Sequence, residues 1–251
     1  YAEDLDKGWV LIEDFGDARM RDWLDENPQG EAEAYAGAIA TLVDLHRKPA
    51  GPFPPYDEPT YLREAQLFTE WYCPALGLDV DAAGFDAAWR EVLAPLTANQ
   101  QPGVTVLRDY HAENIMLLRP DEGASDQGVI DFQDALVGHP AYDLVSLLQD
   151  ARRDVSPELE ATMLARYREQ ADCGPQFDAD YARLGAQRNT KIVGIFARLN
   201  QRDGKPRYLG MIPRVWEALE RDLAHPALAP VAQWFDANIP AELRARHGAI
   251  D

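Results

Sequence analysis

Asp109, Asn114 and Asp131 are spaced so that one β-hairpin would gather their polar ends. The segment reads TVLRDYHAENIMLLRPDEGASDQGVIDFQD. Apolar runs from Ile115 to Leu118 and from Val129 to Phe132 flank a polar, glycine-containing loop, the signal of a hairpin with a long turn. In an antiparallel pair the start of the first strand faces the end of the second. Asn114 and Asp131 are therefore expected side by side, although 17 residues apart, with Asp109 five residues upstream in the entering loop. Two carboxylates and an amide offer hard oxygen donors, which suit Mg²⁺, an ion that usually keeps waters and phosphate oxygens as its other ligands. The chemistry of such a set is phosphoryl transfer, with Asp109 accepting the hydrogen bond, and later the proton, of an attacking hydroxyl. Taken singly each has an ordinary reading: Asp109 caps a turn, Asn114 caps the hairpin, and Asp131 ends a strand.

The elements that must hold this hairpin are mostly helical. A strand is expected at Trp9 to Ile12, then a turn and short helix from Asp17 to about Leu24. Glu31 to His46 carries Tyr35, Ile39, Leu42 and Val43 at helical spacing among alanines. Pro49 ends it, and the proline-rich stretch to Pro59 argues against a long regular element. Helices are expected from Tyr61 to Tyr72, stopping before Pro74, and from Phe85 to Leu96, followed by a strand from Val104 to Leu107. After the hairpin, Tyr142 to Gln149 is apolar on nearly all sides and should be buried. Further helices are expected over Glu158 to Gln170, Tyr181 to Asn200, Arg214 to Leu223 and Val231 to Asn238. This is an α+β pattern, mainly helical with a small sheet.

The 251 residues, 46% of them hydrophobic, are enough for one sizeable core. A net charge of -19 argues against a nucleic-acid backbone as partner, because no Lys/Arg cluster supplies the needed field. An acidic surface explains that charge, and an acidic cleft for a cationic substrate is the functional alternative. Cys73 and Cys173 lack metal-ligand spacing and fit a reducing cytoplasm. His46, His111, His139, His225 and His247 show no paired ligand spacing either. No apolar run approaches a membrane span, and no secretory signal is present.

The order Asp, four residues, Asn, then a second Asp after a hairpin is that of the kinase catalytic loop and metal-binding strand. It departs from protein kinases in detail. Leu107-Arg108-Asp109 stands where they carry His-Arg-Asp, and Asp131-Phe132-Gln133-Asp134 where they carry Asp-Phe-Gly. The continuation Gly138-His139-Pro140-Ala141-Tyr142-Asp143-Leu144 resembles the aminoglycoside phosphotransferase and choline kinase-like family. More narrowly, LRDYHAENIM, VIDFQDALVGHPAYDLVSLLQDARRDV and QRNTKIVGIFARLNQRDGKPRYL are similar to bacterial anomeric amino-sugar kinases of cell-wall recycling. Those enzymes phosphorylate N-acetylmuramate and N-acetylglucosamine at C1. The resemblance covers nearly the whole chain.

It implies a protein-kinase-like large lobe, ATP and Mg²⁺, and a small-molecule amino sugar as partner. Asp109 would be catalytic, and Asn114 and Asp131 would hold the metal. Asp143 would brace the catalytic loop from beneath, although on energy alone the residue reads more readily as a plain N-cap. The segment KGWVLIEDFGD resembles the last strand of a small lobe and the hinge, where backbone groups of Glu13, Asp14 and Phe15 would meet adenine. Residues 1–16 are thus expected to end a small lobe, and 17–251 to form the large lobe. Within it, 104–134 is the catalytic hairpin and 141–240 a helical substrate region. No glycine-rich phosphate loop and no ATP-aligning lysine precede the hinge: Lys7 lies too close to it, and Lys48, Lys191 and Lys205 lie elsewhere. The expectation is a large lobe whose small lobe is deleted, cleaved or outside this sequence, inactive or very slow by itself. A natural pseudokinase is the alternative.

Five further positions stay open. His111 and Glu113 of the catalytic loop either face substrate or pack the loop. Arg188, Asn189 and Lys191 either form a solvated helix face or sit near the cleft, where a basic group would suit the lactyl carboxylate of N-acetylmuramate. Rival functions are a kinase for an aminoglycoside, choline or another amine, and a catalytically dead binding protein.

Overall fold

In the computed structural model, which describes residues 2–100 and 102–250, helices form where the apolar periodicity is strongest. Strands β1 (Ala2–Asp4) and β2 (Trp9–Leu11) make an exposed antiparallel pair. Helix α1 (Met20–Glu26) follows, and then α2 (Glu31–His46), which buries Tyr35, Ile39, Leu42 and Val43 as its spacing requires. Helix α3 (Glu58–Ala65) starts behind Asp57, whose carboxylate accepts the Thr60 N–H at 3.0 Å.

The single helix expected to run from Tyr61 and stop before Pro74 is not what forms. The chain passes through a π-helical turn at Phe68–Tyr72 and continues as α4 (Cys73–Ala75). The Cys73 N–H bonds the Phe68 carbonyl, five residues back. This wider turn carries the chain through Pro74, which has no N–H to give the helical ladder. Helix α5 (Ala82–Asn99) is longer than expected at both ends.

Four short strands carry the segment expected to be catalytic: β3 (Val104–Val106), β4 (Ile115–Leu117), β5 (Gln127–Val129) and β6 (Leu136–Gly138). β4 and β5 form the expected hairpin, with Ile115 opposite Val129 and Leu117 opposite Gln127. The second strand ends earlier than the apolar run. Ile130 N–H still bonds the Asn114 carbonyl at 3.1 Å, but Asp131 turns to φ +62 and leaves the ladder. β6 pairs with β3, Val104 opposite Gly138, so the two ends of the catalytic segment are tied together. That pairing was not among the expectations.

Helix α6 (Ala141–Leu148) is buried at every position, in keeping with its all-round apolar sequence. After α7 (Pro157–Gln170) comes α8 (Phe177–Asp203), the 27-residue centrepiece, which ends at Gly204 in the left-handed region. A Cβ at Gly194 would lie 2.3 Å from the Leu67 carbonyl carbon, so glycine is what lets α8 cross the π turn at backbone distance. Helices α9 (Ile212–Leu223), α10 (Ala229–Asn238) and α11 (Ala241–Ala245) close the array. No helix among the described residues is long and apolar enough to cross a membrane. Cys73 and Cys173 are free thiols.

Candidate active site

The loop between β3 and β4 turns tightly. His111 N–H bonds the Asp109 carbonyl at 3.1 Å, and Asn114 N–H bonds the His111 carbonyl at 2.8 Å. Asn114 then joins the three predicted residues. Its side-chain Nδ2 donates to the Asp109 carbonyl at 3.0 Å and to Asp131 Oδ2 at 3.4 Å. The second Asp131 oxygen accepts Gln133 Nε2 at 2.8 Å. Asp109 and Asp131 are exposed. Because Asn114 spends its amide nitrogen on both bonds, its amide oxygen remains a donor for a cation. Together with the Asp131 carboxylate this is an oxygen-only set, and the residues fit Mg²⁺.

Two non-glycine residues beside this mouth lie at positive φ, Arg108 at +72 and Asp131 at +62. Such a conformation costs an L-residue of order 1–3 kcal/mol and persists where surroundings enforce it, often at functional sites. For Arg108 the surroundings are visible. Asp143, fully buried in α6, accepts Leu107 N–H at 2.7 Å and Arg108 N–H at 2.9 Å. Ser146 Oγ, one helical turn further on, donates to the Arg108 carbonyl at 3.2 Å and accepts from Arg188 Nη2 at 2.8 Å. The N-cap of α6 is Pro140, so Asp143 reaches across to the catalytic loop instead of capping its own helix. Burial pushes its carboxyl up to about 7, against the pull of the two N–H groups and Arg188.

Beside the hairpin lies a cavity of about 630 Å³. One wall is the backbone from Ile12 to Asp17, which contains Glu13, Asp14 and Phe15. The other is Met116 and Val129 of the hairpin, leading to Asp131. Phe15 packs directly on β5, where a Cβ at Gly128 would stand 2.7 Å from its ring. The Asp14 carboxylate accepts the Gly16 N–H at 2.9 Å and shapes the bend. A narrow apolar slot that opens onto carboxylate and amide oxygens could hold a flat base with phosphates at its polar end.

The other predicted residues are placed differently. His111 is only 3% exposed, and burial pushes its imidazole down to about 3, so it packs inside the loop as a neutral ring. Glu113 is clasped between Arg21 of α1 and Arg152, which approaches to 3.2 Å. This clamp ties α1 to the loop between β3 and β4. Asn189 is fully buried, donating to Gln149 Oε1 at 2.7 Å and Asp222 Oδ2 at 3.2 Å. Arg188 lies under the catalytic loop, 3% exposed. The structure therefore makes neither residue part of a solvated face or of an open cleft. α6 and α9 pack over that side of α8, and Arg188 and Asn189 bond to Ser146, Gln149 and Asp222 inside. Lys191 pairs with Glu64 at 2.8 Å and approaches Tyr142 OH at 3.3 Å. Glu64, which has no motif around it, and Arg19, which lines the cavity, were missed by sequence reasoning. Neither residue type nor local spacing marks them.

Comparison with known proteins gives the family. The pattern of the Phosphotransferase enzyme family matches residues 1–186. An N-acetylmuramate/N-acetylglucosamine kinase of Caulobacter vibrioides is 42% identical over 260 residues, spanning 97% of this chain and 70% of that protein. A protein of the same name from Pseudomonas aeruginosa is 37% identical over 253 residues, spanning 95% of this chain and 72% of that one. Among solved structures, a choline/ethanolamine kinase family protein from Mesorhizobium loti superposes with a TM-score of 0.53 at 15% identity. The match covers 86% of this chain and 70% of that chain, a likeness of fold. With the family pattern across three-quarters of its length and relatives this similar, the chain belongs to the phosphotransferase enzyme family.

Proposed function

We propose that this chain provides the acceptor-side lobe of an ATP-dependent sugar kinase. Its substrate is N-acetylmuramate or N-acetylglucosamine, the sugars that its relatives' names give for those proteins, and the hydroxyl phosphorylated is the anomeric one. The observation that carries the reading is the pair of hydrogen bonds from Asn114 Nδ2, to the Asp109 main-chain carbonyl and to the carboxylate of Asp131, which lines the cavity.

In this reading Asp109 orients the acceptor hydroxyl. The sugar oxygen forms a bond to the γ-phosphorus as the bond from phosphorus to the ADP oxygen breaks, and the hydroxyl proton passes to the Asp109 carboxylate. The anomeric hydroxyl is more acidic than its neighbours because of the ring oxygen, so a modest carboxylate base is sufficient. Asn114 and Asp131 would hold Mg²⁺, which when bound spreads the negative charge developing on the phosphates. Backbone groups of Glu13, Asp14 and Phe15 would meet adenine, and the cation of Arg19 lies on the same cavity. Residues 2–16 would then be the end of a small lobe and the hinge, and 17–250 the large lobe.

ADP release by the full-length enzyme, measured with N-acetylmuramate, N-acetylglucosamine, kanamycin and choline in turn, tests the assignment. Turnover is expected with one or both sugars. Turnover with kanamycin or choline and neither sugar would overturn it in favour of an amine kinase. In the same assay Asp131→Asn is expected to raise the Mg²⁺ concentration for half-maximal turnover by roughly tenfold or more, the equivalent of about 1.4 kcal/mol of metal affinity. An unchanged Mg²⁺ dependence would remove Asp131 from the metal site.

A further inference from the structure

The left-handed turn at Arg108, immediately before Asp109, has a third tether besides Asp143 and Ser146. The Arg108 guanidinium donates Nη1 to the Asp134 carbonyl at 3.3 Å and Nη2 to Glu64 Oε1. Glu64 stands on α3, 44 residues earlier in the chain. Its carboxylate has four partners. Besides Arg108 these are Lys191 Nζ of α8 at 2.8 Å, the hydroxyl of Tyr56, and Gln187 Nε2 of α8 at 3.4 Å. The Glu64 side chain is 11% exposed. Burial alone would raise its pKa, but Lys191 and Arg108 more than offset that and hold it below the ordinary carboxylate value. An ionised, largely buried carboxylate shared by two cations is a rigid junction, because moving any one member leaves a charge unpaired. The Arg108 guanidinium also lies 5.7 Å over the ring of Tyr56, whose hydroxyl ends on the same carboxylate.

We propose that Glu64 is a positioning residue for phosphoryl transfer: by gripping Arg108 it fixes the left-handed turn that presents Asp109, and by gripping Lys191 it locks α8 against that turn. This rests on the reading of Asp109 given above. Glu64 touches neither the cavity nor the Asp109–Asn114–Asp131 mouth, so its effect must travel through Arg108. A misplacement of order 1 Å at an attacking group is enough to cost roughly a hundredfold in rate.

The test is a double-mutant cycle in the full-length enzyme, with kcat expressed per nucleotide-binding site so that loss of folded protein does not enter. Glu64→Gln is expected to lower kcat by roughly 30-fold, with KM for ATP changed less than about threefold and partial recovery in Glu64→Asp. Arg108→Ala is expected to cost about as much, and Glu64→Gln added to Arg108→Ala should cost almost nothing more. An unchanged kcat in Glu64→Gln, a loss carried by KM for ATP, or additive losses in the double variant would overturn the proposal. Asp109→Ala is run beside them. If it keeps normal turnover, the reading of Asp109 fails whatever Glu64 does. If it is dead while Glu64→Gln is normal, only the role of Glu64 fails.

Discussion

Replacing Asp109 with alanine is expected to lower kcat of the full-length enzyme by roughly 10²- to 10⁴-fold, the range that a positioned proton acceptor supplies. The residue is exposed, and among the described residues its carboxylate holds no hydrogen bond or ion pair, so its removal breaks no packing or bond network. A thermal unfolding midpoint within about two degrees of the parent is therefore expected, because surface substitutions of this kind are usually worth no more than about 0.5 kcal/mol. Asp109→Asn separates two parts of the role. The amide keeps an oxygen that can orient the hydroxyl but is a far weaker proton acceptor. If orientation dominates, as a loose phosphoryl transition state implies, Asp109→Asn retains more activity than Asp109→Ala. Equal losses would assign the whole effect to proton acceptance. Wild-type turnover in Asp109→Ala would remove the residue from the reaction, and the Asn114–Asp131 pair would have to serve some other purpose.

What the sequence made legible follows from how local each signal is. The hairpin and its three polar residues could be read because two apolar runs and a turn fix their own register, and the observed pairing of Ile115 with Val129 brings Asn114 to Asp131 as that logic requires. The fully buried α6 was equally plain, because it is apolar on nearly all sides. Three features were hidden for physical reasons. Pro74 reads as a stop, but a π turn spreads the missing hydrogen bond over a wider loop of backbone, and no residue type announces that turn. The polar residues of α8 read as a surface or cleft face, because amphipathic periodicity cannot tell a solvated stripe from one that meets Gln149 and Asp222 on neighbouring helices. Glu64 is a common residue in an ordinary helix. Only the folded chain brings it to Arg108, across 44 residues, and only the positive φ of Arg108 shows why such an anchor is needed.

Asp143 is expected to make stability fall as pH rises from about 4 to about 7. Its carboxyl is fully buried, and burial pushes it up to about 7, whereas the unfolded chain exposes an ordinary aspartate near 3.9. Between those values the native state carries a proton that the unfolded state has lost. The unfolded state then binds fewer protons, and the stability of the fold decreases with pH across that window. The decline is complete above about 7 and absent below about 4, and the separation corresponds to about 4 kcal/mol. The groups that act on Asp143 are the N–H donors of Leu107 and Arg108 and the Arg188 cation, which favour the carboxylate, and Asp109, which opposes it. Other buried carboxyls, Asp150 and Asp222 among them, are raised as well and add to the slope of the parent protein. Asp143→Asn isolates the residue, because it removes this titration and leaves the others. The variant keeps one carbonyl acceptor but faces the second backbone N–H with a donor, a loss of roughly 1–3 kcal/mol. Urea unfolding at pH 4.5, 6 and 8 should therefore show the variant at or below the parent at the lowest pH and gaining on it as pH rises, so that the difference shrinks and then reverses by pH 8. A gap that stays constant or widens would mean that the two N–H bonds and Arg188 hold Asp143 ionised throughout. The loop before Asp109 would then be anchored by a buried charge instead of by a carboxyl that titrates near neutrality.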